Sequence, residues 1–275
     1  MEYLNIQSLE NACNTLKKNY NSKVLAGGTD LLVQLRHKKI NPDLIIDIKN
    51  IEMLSGIKSE DNYLVIGACT KLNEIAENPK VQKDYRAISQ AASEVGCYQI
   101  RNRATIGGNL CNASPAADSS PSLLCMDAVL TYFYNGDFIN CPVKDFFKGP
   151  GKTVLPSDAI LCSVKVPDEY AGAPSVYMRH SRRKSLDLST ISVAVVNKDN
   201  KFAIALGSVA PTVIRVPEAE EILNNEGLTL ESIAKAAEAA KNSCTPISDL
   251  RGSKEYRSEM VRNYTKKALE SLMEG

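Results

Sequence analysis

The sequence predicts an α+β protein whose second part is a three-stranded antiparallel sheet with helices. Three observations carry this. A strand–loop–helix–strand unit runs from Lys23 to Ile48 with paired glycines at its turn. Hairpin signals stand at Asn135-Gly136 and at Asn197-Lys198-Asp199-Asn200, and a hairpin makes its strands antiparallel neighbours. Beyond Val209 the apolar residues recur at helical spacing only.

Taken in order, Ser8 is placed to cap a helix in which Leu9, Ala12, Cys13 and Leu16 share a face, and Asn19 to Ser22 ends it. Lys23 to Ala26 reads as a short buried strand running into Gly27-Gly28-Thr29-Asp30. A helix follows through Leu31, Leu32 and Leu35 to Lys39, with Thr29 or Asp30 near its cap, until Asn41-Pro42 stops it. Leu44 to Ile48 is the next strand, and Tyr63 to Ile66 another, ending at Gly67-Ala68. Thr70 is placed to cap a helix. Pro79 opens a longer one with Tyr85, Ile88, Ala91, Ala92 and Val95 on one side, and Gly96 terminates it. Val129 to Tyr134 and Phe138 to Cys141 form a hairpin, Lys148 to Lys152 a loop, and Ile160 to Val166 a strand. Pro167 to Pro174 marks a domain boundary. After it come strands at Ser175 to Met178, Ile191 to Val196 and Phe202 to Val209, then helices at Val216 to Leu223, Leu230 to Lys241 and Ser253 to Leu272. The stripe Tyr256, Met260, Tyr264, Ala268, Leu272 on the last helix reads as core packing.

With a net charge of +1 and no basic run, the 275-residue chain gives no reason to expect nucleic acid or an anionic membrane as partner. Met1 to Asn5 has neither a basic nor an apolar signal region, and no apolar run is long enough to span a bilayer, so a soluble, cytoplasmic protein is expected. The eight cysteines include no Cys-x-x-Cys pair and their gaps are irregular. The two histidines, His37 and His180, both sit beside basic residues. Free thiols, and no metal site, are the expectation.

The densest run of small polar residues is Gln99 to Pro121. Gly107 and Gly108 allow close backbone approach to a ligand. Thr105, Asn109, Asn112, Ser114, Asp118, Ser119 and Ser120 offer short hydrogen-bonding groups, while Ile100, Ile106 and Leu110 are spaced as anchors. A loop folded on a large polar ligand and an ordinary ordered loop both fit. The earlier motif, Ala26 to Asp30, repeats the chemistry: its amides and the following helix start suit an anion, although a tight turn explains it equally well. Neither motif is Gly-x-Gly-x-x-Gly or a P-loop. Two such loops would suit the two ends of a diphosphate, but spacing alone does not show that they meet.

Val24-Leu25-Ala26-Gly27-Gly28-Thr29-Asp30-Leu31, then Thr105-Ile106-Gly107-Gly108-Asn109, then Ala117-Asp118 resemble the FAD-binding medium subunit of the molybdenum hydroxylases. Supporting stretches are Asp43 to Ile48, Ile66-Gly67-Ala68, Gln99 to Asn102, Asp158 to Leu161, Arg182-Arg183 and Arg251 to Arg257. The resemblance implies a two-part FAD-binding domain of the vanillyl-alcohol-oxidase-like type, residues 1–55 and 56–167, and a C-terminal α+β domain, residues 168–275. It implies that Val24 to Leu31 wrap the FAD diphosphate, that Thr105, Ile106, Gly107, Gly108 and Asn109 complete the pocket, and that Asp118 bonds ribityl or ribose hydroxyls. Ile66 falls where the family sets a side chain against the flavin, and Gly96 and Leu161 where it lines the pocket; plain core is the other reading of Ile66 and Leu161, and a helix cap that of Asp118. Many relatives carry a Lys where Met178 stands, with Arg179 or Lys184 as substitutes here.

The function implied is a flavoprotein subunit of a xanthine dehydrogenase-like complex, an oxidoreductase in which the flavin does the redox chemistry. Electrons would come from a small two-iron iron–sulfur subunit, fed by a large molybdenum-cofactor subunit, and leave FAD for NAD⁺, in a dimer of heterotrimers. No catalytic side chain and no metal ligand is expected in this chain. A free-standing FAD-dependent oxidoreductase and a non-catalytic flavin-binding scaffold are the alternatives.

Overall fold

A three-stranded parallel sheet forms the first unit of the computed structural model, which describes residues 1–183 and 185–274. Strand β1 (Glu2–Asn5), helix α1 (Leu9–Lys18), β2 (Ser22–Leu25), α2 (Leu31–Arg36) and β3 (Leu44–Asp47) give the order β1-β3-β2. Ser8 caps α1 as its sequence position predicts, accepting from the Asn11 amide. β1 escapes a sequence reading because all four of its side chains are exposed. Helix α2 is shorter than its apolar pattern suggests: Lys38 turns the chain with a φ of 54°, and none of the helix's residues is buried.

The second unit is a five-stranded antiparallel sheet, order β4-β5-β10-β6-β7. Its first strands are β4 (Ile57–Glu60) and β5 (Tyr63–Gly67). Helices α3 (Leu72–Glu77), α4 (Pro79–Asp84), α5 (Arg86–Glu94), α6 (Tyr98–Arg101), α7 (Ile106–Cys111) and α8 (Ser119–Cys125) follow. Then come the hairpin β6 (Val129–Tyr134) and β7 (Asp137–Pro142), a turn of helix α9 (Val143–Phe146), the small hairpin β8 (Phe147–Gly149) and β9 (Lys152–Thr153), and β10 (Ile160–Pro167). The Asn135-Gly136 turn has both φ angles positive, 51° and 92°, as a type I′ turn requires. Thr70 does not cap α3: its hydroxyl pairs with the amide and carbonyl of Gly56 instead, each at 3.0 Å. The single long helix expected from Pro79 is two helices, broken at Tyr85, whose fully buried ring sends its hydroxyl to Asp168 at 2.8 Å.

The third unit holds four strands, not the three expected. β11 (Ser175–His180), β12 (Ile191–Lys198) and β13 (Lys201–Gly207) are joined by β14 (Ile214–Arg215), which pairs through Ala205–Arg215 and Leu206–Ile214. A two-residue strand beside Pro211 leaves no periodicity to read. Helices α10 (Pro217–Glu226), α11 (Leu230–Ser243) and α12 (Lys254–Met273) complete it.

The strands β12 and β13 sort their side chains by size, with period two. Ala194, Val196, Ala203 and Ala205 face the second unit and join its core. Val193, Val195, Ile204 and Leu206 face α10, α11 and α12. Small residues on one face let α8 approach the sheet; large ones on the other fill the space beneath three helices. A third cluster runs from α1 and β3 into Phe133, Ile160 and Cys162, so the first two units share a core. All eight cysteines are free thiols. Burial pushes the Cys13 and Cys69 thiols up to about 11 and that of Cys162 up to about 12. Among the described residues, no helix is long and apolar enough to cross a membrane.

Arg257 of α12 is 1% exposed and ties strand ends together. One guanidinium nitrogen donates to the carbonyls of Thr190 and Ser208 at 2.9 and 3.1 Å, and another pairs with Asp249, which Arg251 also holds. Replacing Arg257 by Leu orphans both carbonyls and should cost about 2–3 kcal/mol in denaturant unfolding. The hydrogen bonds from Arg251, above all, hold the Asp249 carboxyl well below the usual carboxylate range. A depressed pKa stabilises the fold above the unfolded value, about 4, and that contribution fades as pH falls below it. Asp249→Asn should therefore lower Tm at pH 7, with the gap to wild type narrowing below about pH 4; a gap that stays constant from pH 7 to pH 3 would contradict this.

Candidate functional site

Between the first and second units lies a cavity of about 910 Å³, near the top of the range for small-molecule and cofactor sites, roughly 300–1,000 Å³. Both glycine segments line it. The structure supplies what spacing could not: they touch. A Cβ on Gly27 would stand 2.0 Å from the Arg103 carbonyl oxygen, two residues before Thr105, so only glycine fits. Gly28 follows with a φ of +77°, a conformation that favours glycine.

The two segments spend their amides differently. Among the described residues, the amides of Gly27, Gly28, Thr29 and Asp30 donate to no protein acceptor, while Leu32 closes the first turn of α2 on the Gly28 carbonyl at 3.0 Å. In the second segment, which is helical from Ile106 instead of an open loop, the amides are engaged. Ile106 donates to Thr70, Gly107 to Ala68, Asn109 to the Thr105 carbonyl, and Gly108 to the Thr105 hydroxyl that caps α7. Gly107 is there because a Cβ would meet Ala68 at 2.7 Å; at Gly108 a Cβ would meet only the Thr105 hydroxyl, at 3.0 Å. The first segment thus offers free donors, and the second a bare backbone surface at Gly108.

The other lining residues are mixed in chemistry. The first unit supplies the two cations, Lys17 and Lys23, with Asn19, Tyr20, Ser22 and Gln34, but also Leu16, Ile40 and Ile48; the second supplies an apolar set that includes Ala68, Val95, Ile100, Ala104, Leu155 and Leu161. Asp158 and Asn112 also line the cavity, as does Cys69, whose raised pKa keeps it a neutral thiol.

Of the residues singled out in the sequence, Val24, Ala26, Gly27, Gly28, Thr29, Asp30, Leu31, Thr105, Gly107, Gly108, Asn109 and Leu161 line this cavity. Leu25, Ile66 and Ile106 do not; their side chains are buried in the packed interior. Gly96 stands just behind the lining residue Val95, with a φ of +56°, and its carbonyl accepts from the Leu186 amide at 3.1 Å and the Ser185 hydroxyl at 3.3 Å. Asp118 lies deeper. Oδ1 of its carboxylate accepts from the Tyr177 hydroxyl at 2.6 Å and from Ser189, and the Arg179 guanidinium is 3.7 Å from Oδ2. Asp118 makes no side-chain cap for α8. Burial raises its pKa, with the Ser189 and Tyr177 hydrogen bonds and Arg179 opposing. Met178 packs against the core of the third unit, away from the cavity, and Lys184 lies outside the described residues. Sequence reasoning missed the wall from Lys17 to Lys23 and the strip from Thr153 to Ile160. No motif marks Lys17 to Lys23 or Thr153 to Ser157, and Asp158 to Ile160 entered only as a stretch supporting the resemblance; the packing of α1, β2 and β10 around the cavity brings them in.

Residues 1–169 match the family described as the FAD binding domain in molybdopterin dehydrogenase, and residues 176–272 the CO dehydrogenase flavoprotein C-terminal domain. The xanthine dehydrogenase FAD-binding subunit of Escherichia coli O157:H7 is 36% identical over 97% of this chain and 94% of its own length. The carbon monoxide dehydrogenase medium chain of Hydrogenophaga pseudoflava is 32% identical over 90% of this chain and 88% of its own. A solved structure of that carbon monoxide dehydrogenase, in a form lacking the Mo-pyranopterin moiety, superposes with a TM-score of 0.94 at 32% identity, covering 99% of this chain and 97% of the other. A cavity built on two paired glycines, and matches of this extent to both of its parts, establish that the chain belongs to the family of FAD-binding medium subunits of the molybdenum hydroxylases.

Proposed function

We propose that this chain holds FAD with its diphosphate on the free amides of Gly27 to Asp30 and passes electrons through it to NAD⁺. The observation that carries the assignment is the meeting of the two glycine segments, where unengaged donors face the bare backbone at Gly108. Four adjacent amides with no other acceptor fit an anion, and Lys17 and Lys23 on the same wall add charge of the right sign. The apolar wall of Val95, Ile100, Leu155 and Leu161 fits the ring system. Asp118, which the resemblance puts on a cofactor hydroxyl, does not line the cavity: Oδ1 accepts from Tyr177 and Ser189 and Oδ2 stands beside Arg179, so we give it no direct contact with FAD.

FAD, when bound, supplies the chemistry that joins one-electron donors to a two-electron acceptor. The chain's own residues bind, orient and shield. The small two-iron subunit that delivers electrons, the large molybdenum-cofactor subunit behind it, the dimer of heterotrimers and the cytoplasmic setting all belong to this proposal. So does the division at residues 1–55, 56–167 and 168–275. The similar carbon monoxide dehydrogenase has a molybdenum cofactor, whose Mo-pyranopterin moiety is missing from the solved form, and this likeness supports a multi-subunit setting.

The purified chain should carry one FAD per polypeptide, and NADH should bleach its absorbance near 450 nm without air. A colourless chain that refuses added FAD sinks the cofactor assignment. A yellow chain that NADH leaves oxidised sinks the choice of acceptor alone. Gly108→Val should abolish flavin retention while leaving the Tm of the flavin-free chain within a few degrees, since a Cβ added there meets only the Thr105 hydroxyl, at 3.0 Å. Gly28→Val should also lose flavin, with a lower Tm because its φ is +77°. Full flavin in both variants would refute the diphosphate site.

A further inference from the structure

Arg179 lies on β11 of the third unit with its side chain 4% exposed, and it reaches three segments beyond its own strand. Its Nε donates to Glu94 at 2.7 Å, its Nη1 donates to the Asp187 carbonyl at 3.2 Å, and that same nitrogen stands 3.7 Å from Asp118. Glu94 is the last residue of α5, and Val95 and Gly96 follow. Asp187 belongs to the link between β11 and β12, whose residues Ser185 and Leu186 both donate to the Gly96 carbonyl. The Val95 carbonyl is held from the other side by Arg101, at 3.1 Å. Val95 and Ile100 are lining residues of the cavity, and the Gly96 backbone packs directly under Ile100.

We propose that Arg179 is a positioning residue through which the C-terminal domain sets the apolar wall of the cofactor cavity. It grips both ends of the support for the Val95–Gly96 turn: the helix end that delivers the turn, and the link that hydrogen-bonds it. This fixes the distance between Val95 and Ile100 without Arg179 touching the cavity. Arginine suits the task where lysine does not, because its donors diverge in a fixed plane towards partners on different elements. Its charge also serves the buried Asp118, which would otherwise have only the hydroxyls of Tyr177 and Ser189.

The inference rests on the reading that the cavity holds FAD, so the first measurement is wild-type FAD stoichiometry, whose failure removes that reading and not the packing argument. With FAD bound, Arg179→Gln and Glu94→Gln are each compared with wild type by FAD affinity and by visible circular dichroism of the bound flavin, which reports how the ring is held. Both variants should weaken FAD about tenfold, the equivalent of about 1.4 kcal/mol, and both should change the visible dichroism. Arg179→Lys should recover less than half of the loss. Leu223→Ala, which opens a hole in the core of the third unit, should lower Tm and leave affinity and dichroism unchanged. If Arg179→Gln does not fold, Glu94→Gln decides alone, since the Glu94 side chain is 44% exposed and the buried Arg179 charge still has Asp118 at 3.7 Å. Wild-type affinity and dichroism in Glu94→Gln, or the same changes in Leu223→Ala, overturn the proposal.

Discussion

The contact that most of the architecture depends on is between two stretches of backbone. Gly27 lies so close to the carbonyl of Arg103 that no side chain fits between them. That approach fixes the parallel sheet of the first unit against the helical layer of the second. It also sets the free amides of Gly27 to Asp30 across from Gly108. A shared core of Leu9, Leu16, Ile46, Phe133 and Ile160 holds the two units together, and Leu16 and Ile160 carry it up to the cavity wall. The cavity is then the space left where packing stops, lined by both units, with Lys17 and Lys23 contributed by the first.

Much of the fold was legible from residues 1 to 275. The Ser8 cap and the two Asn-containing hairpin turns are local signals, and each has a local cause in side-chain hydrogen bonding or positive φ. What failed to show was of another kind. β1 and β4 are edge strands with exposed or half-exposed side chains, so they carry no apolar pattern. β14 is two residues long. Tyr85 breaks a helix for the sake of a bond to Asp168, eighty-three residues away in the chain.

The site divides in the same way. The glycine motifs were visible because the backbone demands them, whereas Lys17, Asn19 and Leu155 line the cavity through packing that no spacing encodes. The motifs were less symmetrical than their sequences suggest. Thr105 consumes the amide of Gly108 by capping a helix, so one glycine pair presents donors and the other presents only surface. Asp118, Gly96 and Ile66 were placed by resemblance on the cofactor; the structure sets Ile66 in the core, Gly96 one residue behind the lining and Asp118 within a buried network that reaches the third unit. The C-terminal unit reaches Asp118 and the end of α5 through Tyr177, Arg179 and Ser189; of these only Arg179 was singled out in the sequence, and there as a stand-in for a lysine.

The thiols complete the picture in a different respect. A reduced flavin open to air makes peroxide, and peroxide attacks cysteine as thiolate, not as thiol. Cys69 sits in the cavity wall with its pKa held at about 11. At neutral pH roughly one molecule in ten thousand carries it ionised. Cys13 and Cys162, packed behind the same wall, are shielded in the same way. The low dielectric that closes the core of the first two units thus keeps these three sulfur atoms, one of them in the cavity wall, in the neutral form that an oxidant attacks slowly.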